Sequence, residues 1–260
     1  MGKVWMIASG KGGVGKSTVS AALAVALARH HRRVCVLDAD VGLRSIDLML
    51  GMENRAVFDL FDVAKGESAL KDALVCHAEY PQLFLLSTSQ AEKPDAMSRE
   101  QLNMVLKSLK RQFDFVLIDC PAGIGSVVED AGALSDSCLI VITPDDMSIR
   151  DAERAASVLF ENKNLQMHLV VNRVQPKLVA DGLTMQPSQI ADVLDIPLIG
   201  EIPACEQVYR ALLDHKSASE TKDKPLTKSF ERLALRVEGG DAPFETYKVR
   251  RKKWFHRVKG

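Results

Sequence analysis

A glycine-rich stretch near the start of the chain has the residue types and the spacing that bind phosphate. It runs Ser9-Gly10-Lys11-Gly12-Gly13-Val14-Gly15-Lys16-Ser17-Thr18 and matches the pattern Gly-x-x-x-x-Gly-Lys-Ser/Thr. Glycines adopt the backbone angles that point successive N–H groups at an anion, and a following helix adds its positive N-terminal end. Lys16 would reach the β- and γ-phosphates, and the Ser17 hydroxyl would ligate Mg²⁺. The stretch from Gly10 to Thr18 therefore predicts a nucleotide-binding loop.

Two further apolar runs end in aspartate, which can hold magnesium or position water beside a bound phosphate. The first ends at Asp38 and is followed by Asp40, and the second ends at Asp119 and has the form of a Walker B strand. Parallel strands place their carboxyl ends at one edge of a sheet, where the glycine-rich loop would also lie. We expect Ser17, Asp38 and Asp119 to hold Mg²⁺ or its water, and Asp40 to face the reacting water. The alternative for Asp40 is a helix N-cap.

Strands and helices that alternate along the chain would position these side chains. The residues after the glycine-rich loop, from Val19 to Ala28, predict a long buried helix. Ser98 with Gln101 resembles a capping box at the start of another helix, and Ser148 would cap a third. The alternation specifies an α/β fold, a doubly wound and mostly parallel sheet over residues 1–237. The predicted strands are Val4–Ala8, Val34–Asp38, Leu83–Leu86, Phe115–Asp119, Cys138–Ile142, Leu169–Arg173 and Ile196–Pro203.

The carboxyl-terminal residues differ in composition from the rest of the chain. Residues 238–243 have the composition of a linker, and from Lys248 to Lys259 there are seven Lys/Arg residues and no acid. Placed on a helix over residues 244–260, the aromatic side chains fall on one arc. This pattern predicts a C-terminal basic amphipathic helix that lies at a membrane surface. The predicted membrane-facing residues are Phe244, Tyr247, Arg251, Trp254, Phe255 and Val258.

Three other interpretations of this tail remain open. It could be a disordered basic extension, or its aromatic side chains could dock on the parent domain. Its cations could also bind nucleic acid, because they attract phosphate whatever its source. The clustering of aromatic residues on one face favours lipid over nucleic acid.

The composition is that of a soluble globular protein, with 47% hydrophobic and 26% charged residues among 260. A formal net charge of zero gives no global field that would recruit nucleic acid or a membrane. Five cysteines without a CxxC pair, most of them in apolar strand-like runs, predict reduced and mostly buried thiols rather than a disulfide framework. The chain enters its first strand at once, and no apolar run approaches the length of a transmembrane helix. We therefore expect a cytoplasmic protein.

Several segments resemble one family of nucleoside triphosphatases. The string from Lys11 to Thr18 resembles the deviant Walker A box of the MinD/ParA ATPases, since an ordinary P-loop has no fixed cation at the position of Lys11. The segment from Asp38 to Leu48 is similar to switch I of the MinD branch more than to that of plasmid-partition ParA proteins. The segment from Asp119 to Gly123 resembles switch II of the family, and the tail resembles the membrane-targeting helix of the MinD branch. The similarity covers nearly the whole chain.

The resemblance implies residue roles that spacing alone does not give. Lys11 would cross a dimer interface to the partner's nucleotide, so that ATP bridges two copies, and Asp40 would orient or polarise the attacking water. Asn172 and Arg173 would lie on the base side of the nucleotide, where Asn172 either pairs with adenine or forms a turn. Pro203 would flank the adenine.

The resemblance also implies a function: a partner-stimulated ATPase, with ATP and Mg²⁺, that positions the division septum. It would be cytoplasmic, and peripheral on the cytoplasmic face of the inner membrane when ATP is bound. The implied partners are a second copy, anionic lipid, a MinC-type division inhibitor and a MinE-type or DivIVA-linked topological factor. Two other functions remain open. One is a flagellar-number regulator of the same superfamily, and the other is a ParA-like DNA-segregation ATPase, which would bind DNA in a salt-sensitive way.

Overall fold

The strands form a single sheet in the computed structural model, which describes residues 1–41, 45–88, 92 and 97–247. Within these ranges the strand order is β3-β4-β2-β5-β1-β6-β7-β8, and neighbours run parallel except for the antiparallel pair β3 and β4. The strands are β1 (Lys3–Ala8), β2 (Val34–Asp38), β3 (Val75–Cys76), β4 (Leu83–Leu86), β5 (Phe115–Asp119), β6 (Ser137–Ile142), β7 (Gln166–Val174) and β8 (Leu198–Pro203). This arrangement confirms the predicted mostly parallel sheet.

Helices cover both faces of the sheet, as a doubly wound fold requires. One apolar cluster contains buried side chains of α1 and α11, and the other contains side chains of α5, α6, α7 and α9. The helices are α1 (Lys16–Arg29), α2 (Ser45–Met49), α3 (Leu60–Lys65), α4 (Leu70–Ala73), α5 (Arg99–Lys110), α6 (Ser126–Leu134), α7 (Asp146–Leu159), α8 (Pro176–Ala180), α9 (Pro187–Leu194), α10 (Gln207–Leu213) and α11 (Lys224–Val237), with a 3-10 helix at Ala218–Glu220.

The strand order brings the predicted functional aspartates beside the glycine-rich loop. β5 lies between β1 and β2, so Asp119 pairs in register with Ile7 on one side and with Asp38 on the other. The loop leaves β1 at the same edge. Residues more than a hundred positions apart in the chain therefore meet at the carboxyl ends of three adjacent strands.

Two predicted helix starts have different outcomes. The capping box of α5 is confirmed, because Ser98 Oγ accepts from Gln101 N at 3.3 Å and Gln101 Oε1 accepts from Ser98 N at 2.9 Å. The prediction that Ser148 caps α7 is wrong. Asp145 holds that position with extended backbone, and its Oδ1 accepts from Ser148 N at 3.0 Å. Ser148 lies inside the first turn, where its Oγ accepts from Thr143 N.

The residues after α11 differ from the predicted tail helix at its start. Residues 241–247 are not helical, and the two aromatic side chains among them dock on the domain. The Phe244 ring lies 3.7 Å from the guanidinium of Arg236, and the Tyr247 hydroxyl donates to Glu201 Oε2 at 2.8 Å. The segment that these contacts hold is not helical, so the predicted helix is wrong for its first four residues, 244–247. The other predicted membrane residues, Arg251, Trp254, Phe255 and Val258, lie outside the described residues and stay predictions. Among the described helices, none is long and apolar enough to span a bilayer.

Candidate nucleotide-binding site

The glycine-rich loop has the backbone geometry that its sequence predicts. Gly13 and Gly15 have φ values of 80° and 92°, which favour glycine, and α1 begins immediately afterwards at Lys16. The first turn of α1 contains no acidic residue that would compete with an anion for the helix N-terminus. A Cβ at Gly15 would lie 2.3 Å from Asn172 Nδ2, so a side chain is excluded there on steric grounds as well.

Asp119 ties this loop and the first turn of α1 together. Its Oδ2 accepts from Ser17 Oγ at 2.6 Å and lies 3.0 Å from Lys16 Nζ, and its Oδ1 accepts from Ser20 Oγ at 2.6 Å. Asp119 is fully buried and Lys16 is 6% exposed. The predicted grouping of Lys16, Ser17 and Asp119 is therefore present in the structure. Ser20 was not predicted, although it lies three residues after Ser17 on the same face of α1.

The other two aspartates add negative charge beside this cluster. Asp38 is buried, and burial together with the charge of Asp119 raises its pKa to about 7, although the backbone N–H groups of Asp40 and Ile46 donate to its carboxylate. Burial also raises the pKa of Asp40, which lies partly exposed at the rim. Val41, the residue after Asp40, is not helical, so Asp40 does not stand directly before a helix as an N-cap must. The capping alternative for Asp40 is therefore wrong.

The oxygen donors of this cluster fit Mg²⁺ held together with phosphate. Ser17 Oγ is hydrogen-bonded to Asp119, Asp38 lies in register with Asp119, and hard oxygen ligands of this kind suit magnesium. Within the described ranges, no group of three or more His, Cys, Asp or Glu side chains could hold a metal unaided. Magnesium usually keeps waters and shares phosphate oxygens with one or two carboxylates, so this donor set matches a magnesium nucleotide.

The predicted base-side residues gather around a cavity of about 420 Å³. Its lining includes Gly15, Thr18, Asn172, Arg173 and Pro203. The Asn172 side chain is 7% exposed; its Nδ2 donates to Val14 O at 2.8 Å, and its Oδ1 accepts from Arg173 N at 2.9 Å. The amide thus holds the glycine-rich loop, and its contact with adenine stays a prediction.

Lys11 does not line this cavity but lines a second one, together with Asp145. Its Nζ lies 3.1 Å from Oδ1 of Asp145, and both side chains are substantially exposed, at 34% and 49%. Burial would raise the pKa of Asp145, but hydrogen bonds from Thr143, Ser148 and Lys11 lower it below its usual value, so the carboxylate is charged. Asp145 was not predicted as a site residue, because nothing in the local sequence indicates that a loop after β6 contacts Lys11.

Cys120, which follows Asp119, is confirmed as a packed thiol. It is fully buried, and burial raises the pKa of its thiol to about 12. Its Sγ lies 3.8 Å from the carbonyl oxygen of Ile118. The side chain therefore stays protonated and contributes no nucleophile to the site.

The sheet order, the glycine-rich loop after the central strand and the aspartate at the end of β5 together define a P-loop nucleoside triphosphatase. The ParA family model, described as NUBPL iron-transfer P-loop NTPase, matches residues 1–238. The chain is 35% identical over 267 residues to the septum site-determining protein MinD of Helicobacter pylori, with 100% of this chain and 99% of the relative covered. The chain belongs to the MinD family of septum site-determining ATPases.

Solved structures agree with this assignment. MinD in the MinC:MinD cell division complex of Aquifex aeolicus is 32% identical, with a TM-score of 0.85 and coverage of 94% of this chain and 99% of that one. MinD of Pyrococcus horikoshii, solved with Mg-ADP, is 29% identical, with a TM-score of 0.81 and coverage of 92% and 96%. The protein is thus an ATPase that uses ATP and Mg²⁺ and acts in determining the division site, as its sequence predicts.

Proposed function

We propose that ATP bridges two copies of this chain and that the bridged pair binds anionic lipid through its basic tails. The observation that carries the proposal is the opposite direction of two lysines in one loop. Lys16 points inward to buried Asp119, whereas Lys11 points outward to exposed Asp145. One lysine therefore serves the chain's own nucleotide. The other, on exchanging Asp145 for phosphate, would reach the nucleotide of a second copy that faces this loop.

Each residue of the site has a distinct task in the hydrolysis that we propose. Mg²⁺, when bound, neutralises the charge that develops on the phosphates. Ser17 and Asp119 hold the metal and Asp38 its water, while Lys16 contacts the β- and γ-phosphates. Asp40, at the rim beside Lys16, orients the water for in-line attack on the γ-phosphate. Lys11 of the second copy adds a positive charge where negative charge develops in the transition state.

Membrane binding in this proposal depends on the number of tails. A single short amphipathic helix binds lipid weakly and reversibly. When ATP joins two copies, the second tail binds at a high effective concentration, so affinity rises without any new contact. The protein would be peripheral on the cytoplasmic face of the inner membrane with ATP bound, and it would return to the cytosol after hydrolysis. The seven cations from Lys248 to Lys259 supply the attraction to anionic headgroups.

The protein partners follow from the relatives. The Aquifex aeolicus structure is a MinC:MinD complex, and its MinD has the same fold and 32% identity to this chain. We accordingly assign a MinC-type division inhibitor as the partner recruited by the membrane-bound pair. The family resemblance implies a further partner, a MinE-type or DivIVA-linked factor that positions the system.

Sedimentation with liposomes of anionic lipid tests this proposal. The full chain should pellet with ATP and remain in solution with ADP. Lys11→Ala should abolish the difference, because the second copy is then not bridged. Lys163→Ala removes an exposed lysine elsewhere and should behave as the unaltered protein. Equal binding with ATP and ADP, or normal ATP-dependent binding by Lys11→Ala, would overturn the proposal.

A further inference from the structure

The segment that follows α11 is fastened to the edge of the sheet by side chains at both of its ends. We call residues 242–247 the strap. Ala242 is buried, and its carbonyl oxygen accepts from Arg236 Nη2 at 2.8 Å, while Nη1 of the same guanidinium donates to Ile199 O in β8 at 2.8 Å. Phe244 stacks on that guanidinium at 3.7 Å. Arg236 thus joins β8, α11 and the strap.

The far end of the strap is held by a buried carboxylate. Glu201 in β8 is 9% exposed, and its Oε2 accepts from the Tyr247 hydroxyl at 2.8 Å. Between the two ends, Glu245 pairs with Arg232 of α11. A buried polar group left without a hydrogen-bond partner is costly, and an edge strand is exposed to water unless a segment covers it. The strap is therefore held at Glu201 and lies where it can cover the exposed edge of β8.

Tyr247, the last described residue before the basic segment, lines an acidic groove. The groove has a volume of about 520 Å³ and lies between α9, β8 and the strap. Its lining includes four carboxylates, on Asp192, Asp195, Glu201 and Glu245. The residues that come next in the chain, 248–260, carry seven cations and no acid. The carboxylates of the groove are opposite in charge to this basic segment, and Tyr247, which directly precedes the segment in the chain, lines the groove.

We propose that the strap and the acidic groove form an intramolecular docking site for the basic tail, and that docking excludes membrane binding. The inference rests on the proposed lipid binding of the tail. Phe244 and Tyr247 are among the residues predicted to face lipid, yet in the structure Phe244 packs on Arg236 and Tyr247 donates to Glu201. The same side chains cannot be docked and inserted in lipid together. In a single copy the tail stays docked. In the ATP-bridged pair, the avidity of two tails for lipid overcomes the docking.

Tyr247→Phe tests the anchor without removing an aromatic ring from the lipid-facing set. Loss of the hydroxyl leaves Glu201 without this donor, so liposome binding of the full chain with ADP should rise about tenfold. Binding with ATP should change less, because the tails are already released. Tyr209→Phe removes the hydroxyl of an exposed tyrosine in α10 and should leave binding with ADP unchanged.

The groove is tested by neutralising its two aspartates on and after α9. Asp192→Asn with Asp195→Asn should raise binding with ADP about threefold, because the basic residues lose an attractive surface. Glu153→Gln with Glu161→Gln changes the net charge equally at exposed positions and should have no such effect. Asn also tolerates the positive φ of 52° at position 195.

The outcomes separate this inference from the proposed function. If the unaltered protein binds liposomes with ATP but neither Tyr247→Phe nor the double aspartate variant binds better with ADP, only the docking is overturned. If the unaltered protein binds no liposomes with either nucleotide, both are overturned. Hydrogen exchange supplies a readout independent of affinity: amides of β8 should exchange faster on vesicles, as the strap leaves. Unchanged protection of β8 on vesicles would contradict the docking.

Discussion

Lys11 and Asp145, separated by 134 positions in the chain, form an ion pair with 3.1 Å between Nζ and Oδ1. The same carboxylate caps α7 through Ser148 N and accepts from Thr143 Oγ1 at 2.5 Å. Asp145 is therefore fixed in place by its own loop and helix. In the proposed dimer Lys11 must exchange this carboxylate for a phosphate of the second copy, so Asp145 competes with dimerisation.

Asp145→Asn should make the ATP-dependent dimer form more readily. Asparagine is as good an N-cap as aspartate, so α7 should be retained while the charge that attracts Lys11 is lost. An exposed ion pair contributes up to about 1 kcal/mol, and each dimer releases two such pairs, so the dimer dissociation constant should fall by up to about thirtyfold. Sedimentation equilibrium with a non-hydrolysable ATP analogue measures this dissociation constant. Asp146→Asn is the matched control at the next position, and weaker dimerisation by Asp145→Asn would contradict the competition.

Asp40→Ala should separate nucleotide binding from hydrolysis. Asp40 lies partly exposed beside Lys16, while the phosphate and metal contacts are assigned to other residues. The variant should therefore bind ATP and dimerise, but its kcat should fall by about a hundredfold or more, as expected when a residue that positions or activates water is removed. Steady-state phosphate release measures the change. Turnover at the normal rate would remove Asp40 from the reaction.

Asn172→Ala distinguishes two roles for the same amide. The hydrogen bond from Nδ2 to Val14 O supports the glycine-rich loop, which binds the phosphates of any nucleotide. If this support is the main role, affinity for ATP and for GTP should fall by the same factor, about three- to tenfold for one buried hydrogen bond. Competition binding with a fluorescent nucleotide measures both. A loss of affinity for ATP but not for GTP would instead indicate that Asn172 contacts the adenine.

His30 should make stability depend on pH near neutrality. It ends α1, and its Nδ1 and Nε2 each lie 2.8 Å from a carboxylate, of Glu238 and Glu231 respectively. Burial lowers the pKa of His30, but the hydrogen bonds and charges of Glu238 and Glu231 outweigh it and raise the pKa above 6.5. The stabilisation is thus complete below the unfolded pKa and is lost as pH rises through the folded pKa.

Urea unfolding of the unaltered chain and of His30→Gln measures this dependence. The unaltered chain should lose its advantage, about 1 kcal/mol in free energy of unfolding, as the pH rises from 6.5 through the raised pKa of folded His30. His31→Asn is the control, because it removes the adjacent exposed histidine and asparagine tolerates the φ of 61° found there. An advantage that grows with pH would contradict the role of the two carboxylates.

The sequence predicted the parts of the site that depend on local pattern. The spacing of glycines predicts the backbone geometry of the glycine-rich loop. The apolar runs that end in Asp38 and Asp119 predict strand ends, which a parallel sheet brings together. Ser98 and Gln101 likewise form their capping box within four residues. In each instance the residues in contact lie in the same short segment, or the order of strands in a parallel sheet brings them together.

The unpredicted features depend on contacts between distant segments. Asn172 supports a loop 158 positions away, and Tyr247 reaches a carboxylate 46 positions earlier in β8. Docking of the tail's aromatic side chains on the domain was one of the open interpretations, and it holds for Phe244 and Tyr247, but the amphipathic pattern did not identify their partners. Likewise, Ser148 and Asp145 are both good helix caps, and only the backbone conformation at Asp145 decides between them.

Mixing two inactive variants tests most directly the claim that Lys11 acts on the nucleotide of a second copy. Lys11→Ala and Asp40→Ala should each fail to hydrolyse ATP alone. In a mixed pair, one site combines Asp40 of the first variant with Lys11 of the second. An equimolar mixture should therefore recover activity, up to about a quarter of normal when mixed and unmixed pairs form equally well. Phosphate release from the mixture gives the answer. Activity that stays at the level of the separate variants would contradict the claim, because a lysine acting within its own chain cannot be supplied by another.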